Sequence, residues 1–469
     1  MSLNFDDVSR THIVRNVFAL LEDYYANPER RQVAKDWDMR EIKQYAQQIE
    51  FSQSNPSDAV LRHVIEGLDQ YAVHTPHPNY FGLFNPRSNF ASILADLITA
   101  VYNPQLAAWS HAPFANEIER FVIEAFGKRI GYAETVDGTF CTGGAEANLT
   151  AILCALNQAF PNFNESGLSA LDGQPMIFCS SESHHSIHKA AMTTGLGTKA
   201  VQSIPVDKNF QMDLVLLKQQ IVQDLENGNI PLMVIGTAGT TGLGAVDDLK
   251  SINDIAKDYQ MWFHIDAAYG GAIATSQQYK SVVSGIELGD SVTIDLHKWF
   301  SVPMGASIFL TKNRKILHQT FSVKTAYMPK DGDVDQVVDP YVHSIQWSRR
   351  FIGLKIYLPL AIHGWQGYEQ TINRQVEIAQ LLRDKLLSNG WIIRNNTLMP
   401  IICFTRPEFQ DQEMVEIVNE INASGKAWLS VYPIDGKPTA RVCITNYLTD
   451  EAALDHLVEV LEAYSLQTI

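Results

Sequence analysis

MWFHIDAAYGGAIATSQQYKSVVSGIELGDSVTIDLHKWF, residues 261–300, decides the architecture. It contains two short apolar runs, MWFHID (261–266) and SVTID (291–295), each closing on an aspartate. Similar runs lie on both sides: MIFCSS (176–181), PLMVIGTAG (231–239) and ASIFLT (306–311), with helical segments between them. Strands that are apolar throughout and separated by helices belong to a sheet buried on both faces. The reading is an α/β domain, mainly parallel, with helices on both sides. Ligands in such sheets gather where the carboxyl ends of strands meet helix N-termini.

Upstream of this core, residues 7–25, 38–49 and 57–71 have helical periodicity, with Leu20, Leu21, Ile42 and Tyr45 at buried-face positions. So small an arm cannot cover its own apolar stripe, which implies packing against something else, such as a second copy of the chain. Beyond residue 355 come WIIR, PIICFT, a helix over 411–424, AWLSVYP, RVCITN and a closing helix over 449–463 with Thr449 as N-cap. That succession reads as a smaller α+β domain. The expected division is 1–78 for the helical arm, 79–355 for the large domain and 356–469 for the small one.

Composition narrows the function. The 469 residues are 46% hydrophobic and 19% charged, a globular balance. The net charge of −16 argues against a nucleic-acid-binding surface and against anionic membranes. Cys141, Cys154, Cys179, Cys403 and Cys443 are scattered and include no C-x-x-C pair, so neither a disulfide framework nor a cysteine zinc site is expected. The opening MSLNFDDVSR lacks the pattern of a secretory leader, and no run approaches 18 apolar residues; a cytoplasmic protein is the expectation.

Four stretches at strand ends carry chemistry. In GTFCTGGAEANLTAILCAL (138–156), Gly143 and Gly144 precede a helix, and bare N–H groups at a helix start attract an anion such as a phosphate. The plainer reading is an ordinary loop–helix junction. CSSESHHSIHKAA (179–191) spaces His184 and His188 four apart, yet has no H-E-x-x-H glutamate and no third ligand, so no metal is expected. An imidazole just after a strand end suits the face of a flat ligand, whereas His188 reads as a solvated helix-surface residue. Asp266 ends an apolar strand, where a carboxylate is costly unless it meets a cation. Helix capping is its common alternative, but Ala267, Ala268, Gly270 and Gly271 leave room for something flat.

Lys298 follows the next strand, between His297 and Trp299. A surface lysine is the ordinary expectation. Partial burial would instead favour the neutral amine that attacks carbonyl groups. Phosphate, flat ring, cation and aldehyde together describe pyridoxal 5′-phosphate, whose protein signature is a lysine Schiff base with an aspartate on the ring nitrogen.

HPNYFGLFNP, GGAEANL, SESHHSIHKAA, TAGTTGLGAVDDL, HIDAAYGG, DLHKW, WSRRFIGLK and RVCITN occur in order over about residues 75–465. In these the chain resembles the pyridoxal-phosphate-dependent group II amino-acid decarboxylases. The resemblance implies fold type I, covalent attachment of the coenzyme to Lys298, and Asp266 on the pyridine nitrogen. It places His184 on one ring face and Ala268 on the other. Gly144, Ala145 and His297 should hold the phosphate, helped by Asp295 or its backbone, and Thr241 should contact the ring oxygen. Arg441 falls where the glutamate branch clamps the α-carboxylate. Tyr341, with Tyr327 as a second candidate, falls near the loop tyrosine that protonates the product in the aromatic branch.

Leu83 and Phe84 suggest an apolar substrate pocket and hence an aromatic or other apolar amino acid. Arg87 offers the alternatives of clamping an acidic side chain or facing solvent. Decarboxylation of an acidic amino acid or of diaminobutyrate, transamination or lyase chemistry, and a non-catalytic scaffold are the competing readings. The family's active sites lie at a dimer interface, so the resemblance implies a homodimer.

Overall fold

The computed structural model describes residues 3–132, 136–323 and 337–468. It divides the chain into two compact units. One comprises Phe84–Gln380 and Asn395–Ile401, the other Met1–Leu83, Leu381–Arg394 and Ile402–Ile469.

The larger unit is built on a seven-stranded sheet. In spatial order it runs β1 (Asp137–Cys141), β7 (Ser307–Thr311), β6 (Ser291–Asp295), β5 (Trp262–Asp266), β4 (Ile230–Thr237), β2 (Pro175–Ser180) and β3 (Val201–Ile204). Only β7 runs against its neighbours. Every residue of β5, β6 and β7 is buried, as strands covered on both faces must be. The register pairs Thr237 with Asp266 and Asp266 with Thr293, so the carboxyl ends of the three central strands lie nearly level.

The helix Gly144–Ala159 packs on this sheet through Ala147, Ala151, Cys154 and Ala155, all buried. These small side chains recur at helical spacing and let the helix approach closely, which brings its N-terminus to the strand ends.

The smaller unit holds a four-stranded sheet in the order β10 (Ser430–Ile434), β11 (Lys437–Cys443), β9 (Ile401–Thr405), β8 (Ile392–Ile393). The N-terminal helices Asp7–Ala26, Met39–Ala46 and Ser57–Tyr71 group with it. Backbone hydrogen bonds tie them in: Val33 N–H donates to Gly425 O (2.9 Å), Phe81 N–H to Trp428 O (2.9 Å) and Cys443 N–H to Phe81 O (2.8 Å).

Helix Asp7–Ala26 buries no residue in the single chain. Leu20 and Leu21, expected on a buried face, are 45% and 48% exposed. The closing helix Glu451–Thr468 takes its cap from Asp450, whose carboxylate accepts from Ala453 N–H at 3.0 Å. Thr449, the expected cap, instead donates its hydroxyl to Pro78 O at 2.9 Å. Among the described residues no helix is long and apolar enough to cross a membrane.

Candidate functional site

Beyond β6 the chain makes one irregular turn before returning as β7, and Lys298 sits on that turn. Its Nζ lies 3.0 Å from Asp295 Oδ2, with the lysine side chain 20% and the carboxylate 4% exposed. Three neighbours brace the turn. Ser301 adopts a left-handed backbone (φ 55°), a strained state for a residue with a Cβ. Its carbonyl accepts from both the backbone N–H and the side-chain amide of Asn89, at 2.7 and 2.8 Å. Buried Lys355 donates Nζ to the carbonyls of Met304 (2.9 Å) and Pro303 (3.3 Å) and stands 3.4 Å from Asp96. Two residues upstream of Lys355, Gly353 N–H donates to Glu119 (2.9 Å), whose other carboxylate oxygen pairs with buried Arg349 at 2.8 Å. WSRRFIGLK therefore acts from below as scaffolding. The available signal was a lysine inside the apolar run FIGLKIYLPL.

Asp266, 5% exposed, ends β5. Asn148 Nδ2 donates to its Oδ2 at 2.9 Å, and Ala268 N–H donates to its Oδ1 at 3.1 Å. Both donors are neutral, so this desolvated carboxylate has room for a cationic partner on its cavity side. Asn148 also donates to Ser186 Oγ (3.0 Å), which lies 2.8 Å from His184 Nδ1. Beneath Asp266, His264 is fully buried and reaches Asn148 Oδ1 through Nε2 at 3.1 Å. Burial lowers the pKa of His264 to about 4 and also draws His184 below its usual value. His264 is therefore a neutral imidazole at pH 7. His264 and Asn148 were missed in the sequence, although strand alternation puts His264 and Asp266 on one face of β5.

At the opposite end, the helix Gly144–Ala159 begins beside β6. Glu146 and Ala147 N–H bond to Gly143 O, while Gly144 and Ala145 line the cavity with the unpaired N–H groups of a first turn. A Cβ on Gly144 would fall 3.0 Å from Asp295 Oδ2, a tight contact that glycine avoids. His297 turns Nδ1 onto Ala306, 2.7 Å from its carbonyl oxygen, and leaves Nε2 on the Asp295 side at 3.8 Å. Burial lowers the His297 pKa as well.

Asp295 lines the same cavity; its carboxylate pairs with Lys298 and its N–H donates to Ala268 O at 3.0 Å.

One cavity of about 300 Å³ is lined by Lys298, Asp266, His184, Gly144, Ala145, Thr241, His297, Ala268 and Asp295 together. Phe84 stacks on Tyr269 with ring centroids 4.0 Å apart, and its ring centre is 5.7 Å from Lys298 Nζ. Leu83 and Arg441 belong to the smaller unit, where Arg441 is buried and donates to Gly82 O (3.0 Å) and Ser430 Oγ (3.1 Å). Tyr341 does not line the cavity. It is buried with Ala107, Val342 and Trp347, its ring 4.9 Å from the indole. Tyr327 lies outside the described residues.

Three further expectations change. Gly270 and Gly271 do not leave open room, since an added Cβ would meet Ala238 O at 2.2 Å and Ile294 at 2.8 Å; they allow close packing. His188 is half-buried rather than solvated. Arg87 is 7% exposed and does not face solvent. Among the described residues, no group of three or more histidine, cysteine or acidic side chains is arranged to hold a metal ion.

The model of the pyridoxal-dependent decarboxylase conserved domain matches residues 40–406. The chain is 31% identical to an L-aspartate decarboxylase of Metarhizium robertsii over 70% of its own length and 65% of that protein's, just under two thirds of the fungal enzyme. It is 27% identical to tryptophan decarboxylase 2 of Oryza sativa subsp. japonica, over 92% of this chain and 90% of the rice protein. Among solved structures, mouse CSAD in apo form superposes with a TM-score of 0.92 at 25% identity, covering 98% of this chain and 99% of the mouse chain. Oryza sativa TDC with PLP and tryptamine superposes with the same score at 22% identity, over 100% and 99%, a likeness of fold.

Proposed function

The chain belongs to the pyridoxal-dependent decarboxylases, and on that premise we propose that it releases CO₂ from an L-amino acid with an aromatic or other apolar side chain. The observation that carries this reading is the convergence of Lys298, Asp266, His184 and the Gly144 helix start on one cavity. The residues fit pyridoxal phosphate. A desolvated carboxylate with only neutral donors suits a protonated ring nitrogen, and a bare helix start suits the phosphate. When bound, the coenzyme supplies an electron-withdrawing ring that accepts the electron pair left by departing CO₂.

The protein's own groups do the rest. Lys298 would carry the coenzyme through its aldehyde, and Asp295, 3.0 Å from the amine, would hold it on station beforehand. Asp266 would keep the ring nitrogen protonated, while His184 and Ala268 would hold the two ring faces. Gly144 and Ala145 N–H, with His297, would take the phosphate, and Thr241 would take the ring oxygen. Phe84 and Tyr269 wall the side of the cavity where an apolar substrate would lie. Arg441 would receive the α-carboxylate, and a tyrosine, Tyr341 or Tyr327, would return the proton. The open face of helix Asp7–Ala26, with Val14, Phe18 and Leu21 exposed, supports a homodimer closed by this segment.

A second reading keeps the chemistry and changes the substrate. Buried Arg87 lies three residues from Phe84, and one relative is an L-aspartate decarboxylase. An acidic substrate would use Arg87 as its counter-ion.

CO₂ release measured across L-tryptophan, L-phenylalanine, L-leucine, L-aspartate and cysteine sulfinate separates the two readings. Apolar substrates should react in wild type and in Arg87→Ala. Reaction with acidic substrates alone, lost in Arg87→Ala, gives the second. A protein that stays colourless with added pyridoxal phosphate and releases CO₂ from none of them refutes both. Lys298→Ala should lose the visible absorption of the bound coenzyme.

A further inference from the structure

Behind Asp266 and His184 runs a polar chain that no reading of the site residues requires. It starts at Trp262, whose Nε1–H donates to Ser291 Oγ at 2.9 Å. Ser291 Oγ stands 2.8 Å from His264 Nδ1, and His264 Nε2 stands 3.1 Å from Asn148 Oδ1. Thr293 Oγ1 adds a contact to Asn148 Oδ1 at 3.3 Å. Asn148 Nδ2 then divides between Asp266 Oδ2 (2.9 Å) and Ser186 Oγ (3.0 Å), and Ser186 Oγ reaches His184 Nδ1 at 2.8 Å. Trp262, Asn148, His264, Ser291 and Thr293 are all buried.

The two ends fix the direction of every bond. An indole N–H only donates and a carboxylate only accepts. Asn148 must present its NH₂ to Asp266, hence its oxygen to His264, which therefore carries its proton on Nε2 and accepts the Ser291 hydroxyl at Nδ1. On the other branch, the backbone N–H of Ser186 also donates to His184 Nδ1 at 3.2 Å. That nitrogen is therefore a lone pair, and the His184 proton resides on Nε2.

We propose that Asn148 is a positioning residue that couples the carboxylate at the ring edge to the imidazole at the ring face. It does so through one directional hydrogen-bond chain anchored at Trp262, and it holds His184 as the neutral Nε2–H tautomer. The inference rests on the assignment of Asp266 and His184 to the coenzyme given above. One buried amide thus donates directly to Asp266 and, through the Ser186 hydroxyl, supports the His184 tautomer that the Ser186 backbone N–H also favours, which is how supporting shells orient groups that touch a ligand.

The titratable groups facing Asn148 are Asp266, His184 and His264; Lys298 and Asp295 face the same cavity. Asn148→Leu keeps the shape and deletes both donors. It should weaken retention of pyridoxal phosphate by the holoenzyme about 10- to 100-fold, since the buried carboxylate loses a hydrogen bond. It should also move the ¹⁵N shifts of His184, identified by their loss in His184→Gln, towards a mixture of tautomers. Asn148→Asp places an acceptor where a donor is needed. Its coenzyme affinity should fall further at pH 8 and recover as the pH is lowered and the new carboxyl becomes a donor, a recovery that Asn148→Leu cannot show.

Coenzyme affinity within twofold of wild type in Asn148→Leu, or unchanged His184 shifts, overturns the proposal. So does an Asn148→Asp protein with no pH-dependent recovery, which also decides the matter if the leucine variant does not fold. Lys298→Ala and Asp266→Asn serve as separate controls. If they leave the bound-coenzyme spectrum untouched, the site assignment itself has failed, and not merely the role of Asn148.

Discussion

Replacing Lys355 by methionine should loosen the turn that carries Lys298 while leaving every cavity-lining side chain in place. Lys355 is 3% exposed and donates to the carbonyls of Met304 and Pro303, at 2.9 and 3.3 Å. A hydrogen bond from a charged group contributes about 1.5–3 kcal/mol, and the longer of these two falls at the lower end. Against their sum stands the desolvation of an ammonium, which methionine avoids. Asp96 keeps Arg350 at 2.9 Å and is not stranded. The net expectation is a local loss of about 3 kcal/mol, or roughly a 150-fold gain in opening of the turn. Amide hydrogen exchange of the coenzyme-loaded protein measures it. The Ser301 and His297 amides, bonded to Lys298 O (3.1 Å) and Ala306 O (3.1 Å), should exchange about two orders of magnitude faster, with the strands of the smaller sheet unaffected. Exchange at these amides within threefold of wild type would refute the idea that Lys355 holds the turn.

Other measurements probe the scaffold. Arg349→Met leaves Glu119 buried and unpaired, and should cost about 3–5 kcal/mol in urea unfolding of the larger unit, much of it regained in Glu119→Gln/Arg349→Met. Ser301→Gly relieves a left-handed backbone and removes a buried hydroxyl that has no hydrogen-bond partner among the described residues; it should stabilise by about 1 kcal/mol and raise the melting temperature. His264 titrates near 6.5 when unfolded and near 4 when folded, so between these values the unfolded chain binds more protons and stability falls as the pH drops. His264→Gln should flatten that part of the acid limb, by an amount on the order of 3 kcal/mol in a stability–pH profile.

The sequence disclosed the middle of the large sheet and not its borders. β4, β5, β6 and β7 are continuous apolar runs because neighbours cover them on every side. The two strands that escaped notice, β1 and β3, are the two edges. Gly138 interrupts β1, and Gln202 and Ser203 lie open on β3, so neither shows an unbroken apolar signature. Lys298, Asp266 and His184 were legible because each sets a costly polar group at the end of an apolar strand. His264 was not, because a histidine within WFHID passes for one more half-apolar residue until its neighbours in space are known. Ser291, paired with it across β5 and β6, lies 27 residues away in the chain. The grouping of the N-terminal helices with the C-terminal segment depends on backbone contacts such as Phe81 with Trp428, which periodicity cannot reveal.

The reversal of β7 has a consequence for which length changes the protein tolerates. Asp266 and the Gly144 helix start stand on connections that leave the sheet for helical segments and are not closed by a second ladder. The Lys298 turn is a hairpin closed at both feet, by Asp295 opposite Ser307, and β7 pairs on its other side with β1. One residue added between 296 and 306 and drawn into β7 would slip two ladders at once and turn every β7 side chain to the opposite face. Length variants should therefore be least tolerated in this one loop, which makes it the fixed datum from which the rest of the pocket is measured.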